Sequence, residues 1–282
     1  MQQDDRPSTD SASAFEAQLR ASMIELSPTC PELAQLAIEV AERTGSTNGD
    51  LLARCQQLRQ NTLRLALRQE AGRGRGGRPW LSAPGHSLTF SLAWHFEQPL
   101  HALLGLPLAC GWALTHALQT LGVPAQLKWP NDILKDGRKL AGLLVETAAA
   151  AHGGFWAVIG IGLNLSLPEE LEAQIGQPAA DARWLAQMPA PRVLASLLPD
   201  LLQALQEFSR HGLTPFAPRW NALHAYAGQQ VMILDQGQLL HSGRALGIDE
   251  TGRLLLQDDA GAIQQILAGD VSLRPAKPGA AA

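Results

Sequence analysis

Residues 72–78 place three arginines, Arg73, Arg75 and Arg78, among four glycines. Glycine buries no side chain and loses much conformational freedom when it is ordered, so a packed core gives no reason for this string. Backbone amides and guanidinium groups together suit the oxygens of a phosphate or a carboxylate. The segment therefore predicts a site for a phosphorylated ligand, although a solvated flexible loop or an RNA-binding Arg-Gly segment has a similar composition.

The overall composition favours a small anionic ligand over a polyanion. The chain has 282 residues, a formal net charge of −4 and a hydrophobic fraction of 46%, so no overall positive charge attracts nucleic acid or anionic lipid. The cysteines, Cys30, Cys55 and Cys110, form no CxxC pair, which is against a structural zinc site or a disulfide framework. The acidic N-terminus lacks a signal-peptide pattern, and the apolar segment 102–115 is too short to span a bilayer. We therefore expect a cytoplasmic protein.

Four further polar clusters lie near the ends of predicted strands. They are Ser46-Thr47-Asn48, Lys128-Trp129-Pro130-Asn131-Asp132, Arg138-Lys139-Leu140-Ala141-Gly142 and Gly160-Ile161-Gly162-Leu163-Asn164. The first can cap a helix or offer hydroxyl and amide groups to a ligand. A turn explains the Pro-Asn-Asp of the second, but not its lysine at the end of an apolar strand. The Gly-x-Gly of the fourth fits no Rossmann fingerprint, and no P-loop signature occurs.

Hydrophobic periodicity predicts the elements that carry these clusters. Strands are predicted at residues 38–42, 63–67, 87–96, 126–129, 140–147 and 155–165, and helices from the Ser46-Thr47-Asn48 turn to about residue 60 and at residues 103–121, 192–210 and 215–224. A helix starting near Pro31 fits residues 38–42 nearly as well. Residues 1–14 and 275–282 have compositions typical of disorder.

The pattern changes beyond Tyr226. Short apolar segments separated by glycine turns follow at residues 230–234, 239–248, 253–257 and 263–267. Regular short strands without helices predict a small β-barrel, with a domain boundary near residue 226.

Taken in order, these clusters resemble the biotin protein ligases, also called biotin–[acetyl-CoA-carboxylase] ligases. The resemblance rests on residues 45–48, 69–80, 128–132, 138–142 and 160–164, and residues 247–254 and 269–274 resemble that family's small SH3-like domain. It implies an α+β fold, in which a mixed-sheet catalytic domain of the biotin/lipoate ligase type precedes a C-terminal SH3-like β-barrel. The expected segments are a partly disordered N-terminal extension (1–35), the catalytic domain (36–226), the barrel (227–275) and a disordered tail (276–282).

The resemblance implies a two-step reaction. Biotin attacks the α-phosphate of ATP, giving biotinyl-5′-AMP and pyrophosphate. A lysine of the biotin carboxyl carrier protein of acetyl-CoA carboxylase then attacks this anhydride and releases AMP. Biotin and ATP are the implied substrates and Mg²⁺ the activator, without assigned metal ligands and without a tightly bound cofactor. The expected protein is a monomer or weak homodimer that binds neither nucleic acid nor membrane.

The same resemblance implies roles for individual residues. Lys139, Arg75 and Asp132 are the expected catalytic residues, with Lys139 on the α-phosphate and Arg75 in a loop that closes over the ligand. Asp132 lies where the carrier lysine arrives, either to help remove its proton or to orient a loop. The expected biotin- and ATP-binding residues are Ser46, Thr47, Asn48, Gln69, Arg73, Gly74, Arg75, Trp80, Lys128, Asn131, Lys139, Gly142 and Asn164.

Two departures from the family pattern qualify the resemblance. Gly76 stands where many relatives carry a further arginine. The 45 residues before Ser46 do not resemble the winged helix with which repressing relatives bind DNA, so we expect no transcriptional repressor role. A lipoate–protein ligase is the enzymatic alternative, and the arginine loop followed by Lys-Trp-Pro-Asn-Asp favours biotin. An RNA-binding module is the non-enzymatic alternative, and one short basic segment in an acidic chain disfavours it.

Overall fold

Two β-sheets surrounded by helices form the described part of the chain, which in this computed structural model comprises residues 11–235, 237–269 and 271–276. The helices are α1 (Ala12–Leu26), α2 (Thr47–Ala53), α3 (Leu106–Thr120), α4 (Glu169–Ile175), α5 (Ala190–His211) and α6 (Phe216–Ala222). The strands are β1 (Ala37–Thr44), β2 (Thr62–Gln69), β3 (Ser87–Phe96), β4 (Ala125–Lys128), β5 (Asp132–Lys135), β6 (Arg138–Ala149), β7 (Phe155–Asn164), β8 (Gln230–Asp235), β9 (Gln238–Ile248), β10 (Leu254–Gln257), β11 (Ile263–Ile266) and β12 (Val271–Pro275).

The first sheet is mixed, with the strand order β1-β2-β3-β7-β6-β5-β4. The strands β1 and β2 run parallel, and α2 makes the crossover that a parallel pair requires. The Ser46 hydroxyl caps α2 by accepting a hydrogen bond from the Gly49 N–H at 3.3 Å. The central strands β3 and β7 pair without interruption from Ser87–Asn164 to Phe96–Phe155, which gives the sheet a rigid middle.

Helices α3 and α5 pack on one another and cover this sheet. On α5 the apolar residues recur at helical spacing, and all of them are buried: Leu194, Leu197, Leu198, Leu201, Leu202 and Leu205. Each fully buried leucine side chain contributes about 1.5–3 kcal/mol. The segment Leu100–Thr120 is long and apolar enough to cross a membrane, but 56% of its most apolar window is buried inside the protein. We therefore interpret α3 as a core helix.

The second sheet is antiparallel, with the order β11-β10-β9-β8-β12, and it is fixed against the first domain. The indole N–H of Trp129 donates to the Gly252 carbonyl at 3.1 Å. The Asn221 side chain accepts from the Ile248 N–H at 2.7 Å and donates to the Ile248 carbonyl at 3.0 Å. These contacts join the two domains at the side of the sheet where β4 and β5 lie.

The predicted α+β class, with a mixed sheet followed by a small barrel, is confirmed. The segment that fitted either a strand or a helix is the strand β1. Helix α2 ends at Ala53 rather than near residue 60, because a 3₁₀ turn follows at Cys55–Gln57. The predicted disorder is wrong for residues 12–14, which lie in α1, and for Pro275, which ends β12, whereas residues 1–10 and 277–282 lie outside the described part. The proposed domain boundaries stay predictions.

Candidate active site

A cavity opens between the first sheet, the arginine-glycine loop (residues 72–80) and strand β12. All but one of the residues with a predicted catalytic or binding role line it: Ser46, Thr47, Asn48, Gln69, Arg73, Gly74, Arg75, Trp80, Lys128, Asn131, Asp132, Lys139 and Gly142. The exception is Asn164, which lines a smaller neighbouring cavity that shares Trp80 and Lys139. The Asn164 amide is buried and donates to the Ala180 carbonyl at 3.1 Å. The structure thus gathers distant sequence clusters around one space.

A network of hydrogen-bonded polar side chains lies at one end of the cavity, and all of them are neutral except Glu146, which is not among the lining residues. The Thr47 N–H donates to Gln69 Oε1 at 3.0 Å, and the Thr47 and Ser91 hydroxyl oxygens lie 2.7 Å apart. The Ser91 hydroxyl donates to Asn48 Oδ1 at 2.6 Å, and Asn48 Nδ2 donates to Glu146 Oε2 at 2.9 Å. Because these partners fix each side chain, this end is pre-organised for a neutral ligand group that both donates and accepts hydrogen bonds.

Three glycines let side chains lie directly against the sheet. A Cβ on Gly160 would lie 2.4 Å from Asn48 Oδ1, and a Cβ on Gly162 would lie 2.2 Å from Trp80 Cε2. A Cβ on Gly142 would lie 3.0 Å from Lys139 Cε. All three positions therefore require glycine, because a Cβ would prevent these side chains from packing directly on the sheet. The Gly160-Ile161-Gly162 segment, which fits no nucleotide-binding fingerprint, thus forms part of the sheet surface beneath the cavity.

Lys128, Asp132 and Lys139 form a cluster that we call the lysine-aspartate cluster. Lys128 Nζ lies 2.8 Å from Asp132 Oδ2, and Lys139 Nζ lies 2.6 Å from Asp132 Oδ1. Burial raises the pKa of Asp132, but the charges of Lys139 and Lys128 more than offset it and lower that pKa to about 2. Burial lowers the pKa of Lys128 against the attraction of Asp132. With all three groups charged, the cluster presents one net positive charge to the cavity.

This pKa bears on the two predicted roles of Asp132. A carboxylate with a pKa of about 2 is a weak base at neutral pH. Both of its oxygens are also engaged by lysines. The geometry therefore favours the orienting role over removal of a proton from the carrier lysine.

The arginine-glycine loop crosses the cavity and contacts both domains. Arg75 Nη1 donates to Asn131 Oδ1 at 3.2 Å, and Arg75 Nη2 donates to the carbonyl of Gly269, just before β12. Gly76 has a φ of +60°, a left-handed conformation that suits glycine better than a residue with a side chain such as arginine. The predicted closing of this loop over a ligand stays a prediction.

The sequence reasoning missed several residues of the site. Ser91, a member of the polar network, lies in the middle of the almost wholly buried strand β3, so its type alone gave no signal. The β12 residues Val271, Ser272, Leu273 and Arg274 line the cavity. They belong to a segment that resembles the family's C-terminal domain, which could have suggested them.

Comparison with known proteins identifies the family. Residues 40–164 match the model of the Biotin/lipoate A/B protein ligase family, and residues 226–274 match that of the Biotin protein ligase C terminal domain. The bifunctional ligase/repressor BirA of Escherichia coli is 35% identical over 239 residues, which cover 82% of this chain and 72% of BirA. The chain belongs to the biotin protein ligase family. The biotin–[acetyl-CoA-carboxylase] ligase of Mycobacterium tuberculosis is 34% identical over 245 residues, 83% of this chain and 88% of that ligase.

Solved structures of biotin protein ligases agree with this assignment. The Aquifex aeolicus biotin protein ligase in complex with biotin and ATP superposes with a TM-score of 0.70 at 29% identity, covering 85% of this chain and 99% of that one. The predicted family, ligase class of enzyme and SH3-like C-terminal domain are thus confirmed. The match to the biotin protein ligase C-terminal domain favours biotin over the lipoate alternative.

Proposed function

We propose that this biotin protein ligase attaches biotin to one lysine of the biotin carboxyl carrier protein of acetyl-CoA carboxylase through biotinyl-5′-AMP. The observation that carries the proposal is the single cavity that joins a neutral polar end to a cationic end. Biotin has the same division, because its ureido ring is neutral and its carboxylate is charged. Support also comes from the ligases of Mycobacterium tuberculosis and Paracoccus denitrificans, both biotin–[acetyl-CoA-carboxylase] ligases.

In the first step the polar network binds the ureido ring and the cations bring two anions together. Thr47, Asn48 and Gln69 offer hydrogen bonds at the neutral end, and Ser46 lies beside them. The biotin carboxylate and the α-phosphate repel each other. A fixed unit charge at about 4 Å offsets about 4 kcal/mol of such repulsion at an effective dielectric of about 20. The arginine-glycine loop, with Arg73, and Lys139 supply these charges.

The nucleotide lies on the Trp80 side. The indole of Trp80 packs on Gly162, and Lys139 Nζ lies 5.6 Å from its ring centroid. This arrangement places a flat aromatic surface beside a phosphate-binding cation, as a purine and its α-phosphate require. Asn164, in the neighbouring cavity, contacts the nucleotide side.

Mg²⁺ enters the proposal as a partner of ATP. Among the residues that the structure describes, no group of three or more His, Cys, Asp or Glu can hold a metal ion. Asp132, the acidic residue that lines the cavity, is engaged by two lysines. We therefore propose that Mg²⁺ is held mainly by the phosphates of ATP, as is usual for this ion.

In the second step the carrier lysine reaches the acyl carbon past Asn131 and the lysine-aspartate cluster. Asp132 holds Lys139 on the leaving phosphate, where its charge stabilises AMP as it departs. The arginine-glycine loop excludes water, which would otherwise hydrolyse the anhydride.

The proposal extends to cellular context. The three cysteines are free and buried, which fits a reducing cytoplasm. Residues 12–35 contain α1 and a 3₁₀ turn at Pro31–Gln35 and do not form a winged helix. We propose that the ligase acts as a monomer or weak homodimer.

The test is incubation of the full chain with ATP, Mg²⁺, biotin and a purified carrier domain, read by the mass of the carrier. We expect one added biotinyl group on one lysine, dependent on ATP and absent when that lysine is replaced by arginine. Lipoic acid in place of biotin serves as the control for the alternative substrate. An unchanged carrier mass with biotin, or a lipoylated carrier, would overturn the proposal.

A further inference from the structure

Two amines of the ligase itself line the cavity in which the reactive acyl adenylate forms under the proposed function. Lys128 and Lys139 are both lining residues, and their nitrogens contact the two oxygens of one carboxylate. The carrier lysine must diffuse in from solution, whereas these amines are already in place. Groups held together in one site react at effective concentrations far above those of free reactants. The ligase therefore needs a means of keeping its own lysines from attacking the adenylate.

The protonation state of the lysines provides that means. A neutral amine is a nucleophile, but an ammonium ion has no lone pair to donate. The Asp132 carboxylate contacts both lysines, and its charge and its hydrogen bond to Lys128 favour the ammonium form of Lys128. Without Asp132, both amines would still line the cavity, but each would lose the carboxylate contact that it makes in the wild type.

Lys128 is the more buried of the two amines. Its side chain is 10% exposed, against 23% for Lys139, so it loses more hydration when charged. Burial lowers the pKa of Lys128, and the charges of Arg274 and Lys139 lower it further, while Asp132 raises it. Removing Asp132 would therefore leave burial and two cations acting in the same direction, towards the neutral amine.

We propose that Asp132 protects the ligase from self-biotinylation by holding the Lys128 amine as an ammonium ion beside the adenylate, and that Lys128 is acylated when this protection is lost. This inference rests on the proposed function. In the side reaction the neutral Lys128 Nζ attacks the biotinyl carbonyl carbon, and the bond between that carbon and the phosphate oxygen breaks. AMP leaves with the electron pair, and the nitrogen releases a proton to water, which leaves a stable amide.

The test is the Asp132→Asn variant, which keeps the shape of the side chain and removes its charge. Wild type and variant are incubated with synthetic biotinyl-5′-AMP without carrier, so that the result does not depend on the first step. Modification is followed by intact mass and by peptide mapping. A fall of about one unit in an amine pKa raises its neutral fraction about tenfold. We therefore expect at least about tenfold faster biotinylation of the variant, at Lys128 first, with a rate that rises with pH.

Two further variants locate the reaction. In Asp132→Asn combined with Lys128→Arg, the guanidinium stays protonated, so modification at position 128 disappears. Lys135 is the matched control, because it lies on β5 outside the cavity and is 3.7 Å from Asp136. Its modification by adenylate that has escaped into solution should be equal in wild type and Asp132→Asn.

The wild type offers a second measurement that does not depend on folding of a variant. Towards about pH 10, near the ordinary pKa of lysine, we expect its Lys128 to be biotinylated from the synthetic adenylate before Lys135, which lies outside the cavity. Folded Asp132→Asn that leaves Lys128 unmodified would overturn the inference, as would equal modification of Lys128 and Lys135 in the wild type at high pH. Failure of the proposed function is seen separately, as absence of biotin-dependent pyrophosphate exchange in the wild type.

Discussion

Gly162→Ala is expected to damage nucleotide binding while leaving biotin binding intact. The added Cβ would lie 2.2 Å from Trp80 Cε2, so the indole must move away from the sheet. Overpacking of this kind costs about 1–3 kcal/mol of unfolding free energy. Stacking of a base on an aromatic side chain contributes about 1–3 kcal/mol. Since each 1.4 kcal/mol corresponds to about tenfold, loss of this stacking raises KM for ATP about 5- to 150-fold.

The assay is biotin-dependent exchange of pyrophosphate into ATP, with ATP varied at saturating biotin and biotin varied at saturating ATP. The matched variant is Gly160→Ala, two residues away on the same strand. Its Cβ would lie 2.4 Å from Asn48 Oδ1 and would disturb the polar network instead. We expect Gly160→Ala to raise KM for biotin with little effect on KM for ATP, the reverse of Gly162→Ala.

Comparison of the two variants tests whether the cavity has separate biotin and nucleotide ends. If Gly162→Ala folds and keeps the wild-type KM for ATP, Trp80 does not support the nucleotide. If both variants raise the KM of both substrates to the same extent, the cavity is not divided into a biotin end and a nucleotide end. Thermal unfolding of both variants separates these outcomes from general loss of structure.

Three other variants test separate parts of the site. Lys139→Ala removes the cation that Asp132 orients, so pyrophosphate exchange should be lost with the circular dichroism spectrum unchanged; near-normal exchange would refute its role. Arg75→Ala removes the contacts of the loop with Asn131 and the barrel, so biotinyl-5′-AMP should leak faster, measured by its appearance in filtrates; equal leakage would contradict the closing of the loop. Burial lowers the pKa of His224 in the folded protein from 6.5 to about 4. The unfolded state therefore takes up this proton at a higher pH than the folded state does, and the free energy of unfolding falls as the pH decreases from about 6.5 to 4. His224→Phe should remove this loss of about 3 kcal/mol, measured by denaturant unfolding at each pH, and an unchanged pH dependence would contradict it.

Much of the fold follows from local pattern. The strands β3 and β7 were predictable because long apolar runs with β-branched and aromatic residues seldom form anything but buried strands. The same holds for α5, where leucines recur at helical spacing along the whole helix. The site residues could be collected because each belongs to a short polar or glycine-containing motif near the end of a helix or strand, and these motifs match the family.

The elements that sequence reasoning missed are short or have misleading composition. Helix α1 is rich in serine and alanine, and its buried positions Phe15, Leu19 and Met23 are too sparse to suggest a core helix. Strand β5 has four residues with charges at both ends. Its existence follows from pairing with β4 and β6, which local propensity does not determine.

The lysine-aspartate cluster depends on this pairing. The register places Lys128 opposite Asp132, and a bulge after Ile133 brings Lys139 opposite Leu134. The sequence identified all three charged residues of the cluster, but it left both roles of Asp132 open. The contact of both lysines with one carboxylate became visible only in three dimensions.

The central claim is that one cavity brings biotin and ATP together and joins them. The most direct measurement is to incubate the full chain with biotin, ATP and Mg²⁺ in the absence of carrier, denature it, and identify the released small molecules by mass spectrometry. The account predicts biotinyl-5′-AMP in about equimolar amount to the protein, formed only when both substrates are present. A denatured sample that releases unreacted biotin and ATP alone would contradict it.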